Sequence, residues 1–596
     1  MRFRDSHCKL RNPLECFALV WWNRVITFAA RRLGWDPEHE RARTIALMIG
    51  VVLVVTTGLV ARPAWRALRA WRVHRLVVSA EDLIGKGDWQ QASRKASAAL
   101  VLESNNPAAL RSVARAQTVG ERPVAIPLWR AYLATGRGTA AEHRAFIKLA
   151  IRFGAFDVAR AELLQQLPGN WTDAELLFFG AQLAAAFRDF DESLRYGDLA
   201  EQFGPTNLQY RLFGATLRCQ SPNSAERQRA RTTLLELVSL TNSMGIQAIE
   251  ILARNSELSA QDRLRLLQEL RKRPLESPGE HLLELSLSVE ASPDAPRQSE
   301  ILETALRTWG GRNATNRAAL GSWSNGRRRY EFTLRVVPED QATVDSRLFT
   351  VHLDALAGLG RWQEAVALLD RPKNPFSKVV TAAYRARSAQ ALNDPQLAAV
   401  HWRRAAQAAG DDPGELTFLA GYANAAGEWE SARDAYRRLT ELTPESWPAR
   451  SAYSGFLQRH GTTEELRDCI RSMSNQWPEH SALRNDLAYL NLLLGTGIEA
   501  GLRMGRDRVE QFPESVPYRA TLGLALVRQN KFTKALEVFS GRDLDWRLAL
   551  PGHHAVYVAA LLGSGRGVEA GEHARQIDPG RIRPEEFALI APALNP

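Results

Sequence analysis

The sequence predicts an all-α protein, built as a solenoid of antiparallel helix pairs and preceded by one transmembrane helix. Three observations predict this: small and large residues alternate at helical spacing, prolines recur at nearly constant intervals, and one uncharged apolar run lies near the amino terminus. At 596 residues the chain is too long for one ordinary core, whereas a solenoid grows by adding units in one direction. Its composition, 45% hydrophobic and 24% charged, is typical of a folded protein.

The predicted transmembrane helix is the run TIALMIGVVLVVTTGLVA, residues 44–61, which is uncharged and close to the roughly 20 residues that cross a bilayer. Residues 1–75 contain 14 Lys and Arg against 5 Asp and Glu, so this end carries +9 of the formal net charge of +11. Residues 1–43 form a basic segment in which 17–30 suits an interfacial helix, and a second crossing there stays open. A buried core helix is the alternative for 44–61.

The orientation of this helix depends on the basic residues that flank it. Arginines are equally numerous close to both ends, but four further basic residues lie within the first eleven positions. The positive-inside rule then favours a cytoplasmic amino terminus, which would place the repeats on the extracytoplasmic side. In the other direction, Arg62, Arg66 and Arg69 beside Trp65 and Trp71 would suit the anionic cytoplasmic leaflet.

The clearest repeat unit is residues 413–444, PGELTFLAGYANAAGEWESARDAYRRLTELTP. The predicted first helix is lined by Leu416, Leu419, Ala420 and Ala423, and the second, after a break at Gly427, by Trp429, Ala432, Tyr436 and Leu439. Alanines at these offsets let two helices cross closely, and aromatic residues fill the gaps beside them. Prolines 444, 478 and 513 then follow at steps of 34 and 35 residues.

This pattern resembles the tetratricopeptide repeat family, whose period is 34 residues. Related hairpins predict one repeat array over residues 73–221 and a second over 346–596. Between them, residues 222–345 have helical periodicity without the complete pattern, which predicts degenerate helical hairpins. Within that stretch GSWSNGRRRYEF, residues 321–332, is interpreted as an irregular insertion because of its glycines and its run of arginines.

No arrangement of residues indicates catalysis, so the protein is predicted not to be an enzyme. The sequence has no HExxH, GxxxxGK[ST] or GxSxG motif. His553 and His554 are adjacent and point in different directions on a helix, so no metal site and no cofactor are expected. The basic cluster at Arg327, Arg328 and Arg329 has acidic neighbours and no nucleic-acid module, so no nucleic-acid partner is expected.

The resemblance implies a scaffold that binds other proteins in a concave groove formed by the first helix of each unit. The residues that this pattern would place in the groove are Asn424, Arg459, Asn485, Asp486, Tyr489 and Arg528. The plan is similar to single-pass bacterial inner-membrane repeat proteins, which implies a role in assembling an envelope or membrane complex. An accessory protein that binds a polysaccharide or polymer in an export system is the alternative. Self-association through the end repeats is a further expectation.

Overall fold

Helices form nearly all of the regular structure in a computed structural model that describes residues 40–254, 258–292, 294–343, 345–372, 374–541 and 543–594. For residues 40–47 and 57–63 the backbone alone is described. The predicted segment 17–30 lies outside the described residues, as does most of the basic segment 1–43. Within the described ranges, the β-structure consists of one isolated antiparallel bridge between Asn223 and Leu544.

The chain divides into two compact units, Met1–Phe153 and Gly154–Pro596. The helices of the first unit are α1 Glu40–Gly85, α2 Trp89–Leu102, α3 Pro107–Val119, α4 Ala125–Leu133 and α5 Ala140–Arg152. The second unit begins with α6 Phe156–Gln166, α7 Ala174–Ala186, α8 Phe190–Phe203, α9 Leu208–Arg218, α10 Ser224–Val238, α11 Ser243–Ala253, α12 Ala260–Arg271, α13 Pro278–Glu290, α14 Ala295–Ala305, α15 Ala314–Gly326, α16 Tyr330–Val336 and α17 Glu339–Ala342.

It continues with α18 Ser346–Gly358, α19 Trp362–Leu369, α20 Lys378–Ala391, α21 Pro395–Ala409, α22 Pro413–Ala426, α23 Trp429–Leu442, α24 Trp447–His460, α25 Thr463–Gln476, α26 Ser481–Leu493, α27 Ile498–Gln511, α28 Val516–Arg528, α29 Phe532–Phe539, α30 Pro551–Gly563, α31 Gly567–Ala574 and α32 Pro584–Leu594. A single π-helical turn, Leu306–Gly310, follows α14, and a 3₁₀ turn, Pro579–Arg581, precedes α32.

In the first unit, the carboxy-terminal part of α1 packs against α2 and α3. Ala80 is fully buried against Ala96 and Val113, because alanine lets the helix backbones approach closely. Beside this contact, Ser112 Oγ donates a hydrogen bond of 2.6 Å to the Glu81 carboxylate. The end of α1 is therefore a structural part of the first repeats.

The preceding part of α1 runs through the predicted transmembrane segment 44–61, of which the side chains of residues 48–56 are described. The large apolar side chains among them, Met48, Ile49, Val51, Val52, Leu53, Val54 and Val55, are between 37% and 64% exposed. In the ranges that the structure describes, no helix meets the length and apolar content needed for a bilayer crossing.

The helical hairpin predicted at residues 413–444 is confirmed. Its two helices are α22 and α23, and the four predicted core residues of α22 are at most 3% exposed. Asp412 begins α22 by accepting hydrogen bonds from the backbone amides of Gly414 (2.8 Å) and Glu415 (2.9 Å). Gly427 ends it with a left-handed backbone (φ 80°), which glycine adopts without steric cost.

One residue of this hairpin differs from the prediction. Trp429 was expected in the core, yet 44% of it is exposed. As the first residue of α23 it lies at the edge of the hairpin, where its ring stacks on His460 with the centroids 3.8 Å apart. Trp429 therefore joins successive hairpins instead of filling one of them.

Residues 222–345 also form helical pairs, with one hydrophobic cluster around Leu234, Ile249 and Leu270 and another around Leu320 and Val336. The irregular insertion predicted at 321–332 is wrong, because these residues are the end of α15, a tight turn and the start of α16. Gly321 suggested a loop, but it serves a close contact, since a Cβ there would lie 2.5 Å from Val351.

In the second unit, the amino ends of late helices contact the early hairpins. Trp447 Nε1 donates to the Ala186 carbonyl (3.1 Å), Ser481 Oγ donates to Asp189 (2.7 Å), and Ser515 Oγ donates to Asp191 (2.7 Å). The paired residues are 261, 292 and 324 positions apart. We call these three pairs the closing contact, which fixes the start of α24, α26 and α28 against the segment from α7 to α8.

Candidate binding cavity

A cavity of about 670 Å³ lies within the second unit, beside the closing contact. Its walls come from α24, α25, α26, the first turn of α30 and the turn after α7. Residues 579–586, the turn that leads into α32, form the remaining side, and we call them the C-terminal strap. The volume is within the range of about 300 to 1,000 Å³ that is usual for ligand sites.

The floor of the cavity is an aromatic cluster. The Trp447 ring contacts the rings of Phe187, Trp477 and His480 at centroid distances of 4.8, 5.2 and 5.0 Å. Each of these four residues is less than 9% exposed. This cluster holds α24 and the start of α26 against the end of α7, so it supports the cavity without offering exposed ring faces.

His480 is fixed within this cluster by two hydrogen bonds. Its Nε2 lies 2.6 Å from the Phe187 carbonyl oxygen, and its Nδ1 lies 3.3 Å from the backbone amide of Leu483. Since a carbonyl accepts and an amide donates, the proton of the ring is on Nε2. Burial lowers the pKa of His480, which keeps the ring neutral.

The C-terminal strap is held to α24 by Arg583, which is 9% exposed. Its guanidinium donates to the carbonyl oxygens of Leu457 (3.1 Å), Gln458 (3.2 Å) and Gly461 (3.4 Å). Glu585 accepts a hydrogen bond of 2.6 Å from Thr463 Oγ1 at the start of α25. These bonds satisfy the exposed carbonyl groups at the end of α24, so the strap acts as a cap for that helix.

Glu586 completes this attachment. It accepts hydrogen bonds from the Tyr489 hydroxyl (3.0 Å) and from the Arg583 backbone amide (2.9 Å). Burial raises the pKa of Glu586, and the two hydrogen bonds oppose that change. The charges of Arg583 and Glu586 are thus used within the strap itself.

Three other arginines line the cavity and are exposed: Arg188, Arg459 and Arg581. Among the residues that the structure describes, none of the three forms an ion pair. Arg188 is the second residue after the end of α7, where a left-handed backbone (φ 60°) turns the chain toward α8. Three guanidinium groups therefore line the cavity without an ion pair to any carboxylate of the described residues.

Asp486, on α26, lines the same cavity, as does Glu586, whose carboxylate is already hydrogen-bonded to Tyr489 and Arg583. The side chain of Asp486 is exposed to the cavity. Desolvation by the surrounding protein raises the pKa of Asp486; nearby Asp189 raises it further, whereas a hydrogen bond from Asn485 lowers it.

The six residues predicted for a groove have different positions. Arg459, Asp486 and Tyr489 line the cavity. Arg528 instead donates hydrogen bonds to the carbonyl oxygens of Leu492 (2.9 Å) and Leu493 (2.7 Å), which caps the end of α26. A role of the six residues in binding a partner stays a prediction.

The two predicted asparagines lie outside the cavity lining. Asn485 is 2% exposed, and Asn424 lies on α22. The side-chain oxygen of each is buried, without a hydrogen-bond partner in the described residues. Asn485 lies beside Asp486, whose carboxylate its hydrogen bond stabilises. Asn485 thus contacts a residue of the cavity lining without being part of it.

Sequence reasoning missed Arg188, Arg581 and the C-terminal strap. Arg188 comes from the early hairpins and Arg581 from the last residues of the chain, so no local spacing connects them with α24 or α26. The sequence has one weak indication of this contact. Two polar residues, His480 and Ser481, lie at the start of α26, although one cap residue is enough to begin a helix.

A larger cavity, of about 730 Å³, lies between α11, α12 and α13, but its charged groups are paired. Arg254 contacts Glu250 at 2.6 Å, and Arg263 and Arg327 contact Glu290 at 2.5 and 3.2 Å. Among the described residues no group of three or more His, Cys, Asp and Glu side chains is arranged to hold a metal ion. The cavity beside the closing contact is thus the better candidate for a binding site.

Two solved structures are similar to this chain over most of its length. The APC/C hetero-tetramer Cut9-Hcn1 is 13% identical, with a TM-score of 0.28, covering 89% of this chain and 98% of that one. Yeast Tom70 is 11% identical, with a TM-score of 0.28, covering 88% and 96%. No protein-family model and no curated protein matches the sequence. The paired helices themselves define the fold.

Proposed function

We propose that this protein is a membrane-anchored scaffold that binds other proteins through its helical repeats and assists assembly of an envelope or membrane complex. The observation that carries the proposal is the succession of helical hairpins from α6 to α32. Arrays of this kind present extended surfaces that bind partners without making or breaking bonds. The mechanism is therefore positioning of the partner proteins.

The anchor in this proposal is residues 44–61 of α1, in a bacterial inner membrane. The exposed apolar side chains of residues 48–56 support it, because water disfavours a continuous apolar surface on a single helix. A bilayer would cover these side chains, whereas the helices of the first unit pack against α1 only from about Val73 onward. The flanking charges favour an extracytoplasmic position for the repeats.

Substituting arginine for Val51 and Val54 together tests the anchor. Both side chains are more than half exposed, so the change leaves the packing of the first unit intact. Each arginine costs about 2.5 to 3.5 kcal/mol near the centre of a bilayer, so we expect the variant to leave the membrane pellet on alkaline carbonate extraction. Val101→Arg, at an 87% exposed position on α2, is the matched control and stays in the pellet. Retention of both forms would contradict the anchor.

Binding of proteins is favoured over binding of a polysaccharide by the state of the aromatic rings at the cavity. Glycan sites offer open ring faces, whereas Phe187, Trp447 and Tyr489 are buried, with 8% exposure at most. Their rings are used in packing.

The scaffold proposal is tested by crosslinking the tagged full-length protein in intact membranes, followed by gentle solubilisation and isolation. We expect the same few proteins at near-stoichiometric amounts, with crosslinks to residues 346–594. Membranes with the untagged protein are the control for background capture. Isolation of the protein with no stoichiometric protein partner, in crosslinked and native preparations alike, would contradict the scaffold function.

A further inference from the structure

We propose that the cavity beside the closing contact binds an acidic peptide segment that also carries an apolar side chain, contributed by a partner protein. This inference rests on the proposed scaffold function and specifies the chemistry of its partner. The groups that carry it come from three distant parts of the chain: the turn after α7, the helices α24 to α26, and the C-terminal strap.

The sign of the charge follows from which groups are already paired. Arg583 and Glu586 already have partners that hold the strap in place. Arg583 donates hydrogen bonds to α24, and Glu586 accepts one from Tyr489. The groups left are Arg188, Arg459 and Arg581 against the single carboxylate of Asp486. An excess of positive charge therefore faces the cavity, and guanidinium groups bind carboxylates with two parallel hydrogen bonds.

The apolar part of the ligand follows from the rim. Leu550, the residue before α30, is 52% exposed, and Ile582 of the strap is half-buried. Both lie on the same cavity as the arginines. A side chain such as leucine placed between them would remove this apolar surface from water, at about 25 cal/mol per Å² covered.

A peptide fits this combination better than other polyanions. A glycan or a phosphate uses the positive charge but leaves Leu550 and Ile582 uncovered. An acidic segment that includes apolar residues uses both features. The cavity volume of about 670 Å³ also sets a limit, since it accommodates a short segment and excludes a folded domain.

The test uses purified full-length protein in a neutral detergent and a fluorescein-labelled octapeptide of alternating glutamate and leucine. Binding is measured by fluorescence anisotropy. Probes of alternating glutamine and leucine, alternating glutamate and serine, and an oligogalacturonate separate the need for charge, for apolar side chains and for a peptide. We expect the glutamate–leucine peptide to bind at least about 10-fold more tightly than each of these, a difference of about 1.4 kcal/mol.

The protein variants are Arg188→Gln, Arg459→Gln and Arg581→Gln, singly and together. All three side chains are exposed, so the variants are expected to fold. We expect a loss of affinity of about 3-fold for each and at least about 10-fold for the triple variant. Arg404→Gln and Arg506→Gln, at exposed positions away from the cavity, are matched controls for net charge and should leave affinity unchanged.

The proposal is overturned by any of three results: no binding of the glutamate–leucine peptide, equal binding of the oligogalacturonate, or equal losses in the cavity and control variants. Failure here is separate from failure of the scaffold function. A protein that retains stoichiometric partners in membranes but ignores the acidic peptide would keep the scaffold function and lose this site. A protein that binds the peptide but retains no partner in membranes would keep the peptide site and lose the scaffold function.

Discussion

The hairpin of α22 and α23 and the following helices α24 to α28 use the same rules for starting a helix, but with different results. At α22, Asp412 accepts hydrogen bonds from its own helix alone. At α26 and α28, the cap residues His480 and Ser515 also bind the early hairpins, at Phe187 and Asp191. In the later helices, the residue that caps the helix thus also contacts a residue 293 or 324 positions away in the sequence.

The largest effect is expected where the closing contact is cut. Asp189 is 5% exposed and accepts hydrogen bonds from Ser481 Oγ (2.7 Å) and from the Ala482 amide (3.3 Å). Asp189→Ala leaves these donors buried without a partner and removes the cap of α8, so we expect a loss of about 4 kcal/mol in the free energy of unfolding. Urea unfolding of the full-length protein, followed by circular dichroism, measures it.

Asp412→Ala is the matched control for Asp189→Ala. It removes a cap of the same type from α22 without any distant partner, and we expect a loss of about 1 kcal/mol. Equal losses in the two variants would show that the closing contact adds nothing to the stability of the second unit.

A smaller change in the free energy of unfolding, a loss of about 2 kcal/mol at neutral pH, is expected from the negative charge on Asp191. Burial raises its pKa to about 6; the hydrogen bond from Ser515 opposes this, and Asp189 and Glu192 add to it. Because the native state holds this proton to a higher pH than the unfolded state does, Asp191 lowers stability as pH rises from about 4 to 6. Above pH 6 the full penalty is present.

Asp191→Asn removes this penalty and keeps an acceptor for Ser515. We expect the variant to be more stable than the wild type by about 2 kcal/mol at pH 7.5 and by far less at pH 4.5. The measurement is urea unfolding at the two pH values, with the wild type in parallel. A gain of the same size at both pH values would mean that packing, and not ionisation, is the cause.

The two regions also differ in how closely their helices approach. In α27, a Cβ on Gly505 would lie 2.9 Å from the Cα of Leu522, so α27 and α28 touch at this position. In α22, a Cβ on Gly421 would meet nothing within 4 Å. We expect Gly505→Ala to lower the free energy of unfolding by about 1.5 kcal/mol, because a backbone contact cannot move aside.

Gly421→Ala gives the opposite sign. Alanine favours a helix over glycine by up to about 1 kcal/mol, and the open space accepts its methyl group. Thermal unfolding of both variants measures the two signs. If both substitutions stabilise the protein, then α27 and α28 are farther apart than their contact at Leu522 indicates.

The fold was predictable because the residues that determine it are neighbours in sequence. Leu416, Ala420 and Ala423 recur at helical offsets, and the turn at Gly427 is marked by its residue type. The cavity was predictable only in part. Arg459, Asp486 and Tyr489 were identified, but Arg188 and Arg581 reach the cavity through contacts between remote segments, which no spacing encodes.

The misassigned residues show the same limit. Gly321 was interpreted as a loop signal because glycine serves both turns and close helix contacts, and the sequence alone does not distinguish them. Arg528 was assigned to a groove from its place in the repeat, whereas its hydrogen bonds to the end of α26 depend on the angle between two hairpins. Side chains that connect hairpins are thus the least predictable from a repeat pattern.

Substitution of Arg528 therefore gives the smallest predicted effect. Its two interpretations are distinguishable, because one predicts a change in stability and the other a change in partner binding. If it caps α26, Arg528→Ala lowers the free energy of unfolding by about 1 kcal/mol, since two carbonyl groups lose a charged donor, and crosslinked partners are retained as in the wild type. If it binds a partner, retention falls while stability is unchanged. Arg404→Ala, an exposed arginine on α21, controls for the loss of one charge. The hydrogen bonds of 2.9 and 2.7 Å favour the first result, which would restrict the binding surface to the side chains that face the cavity.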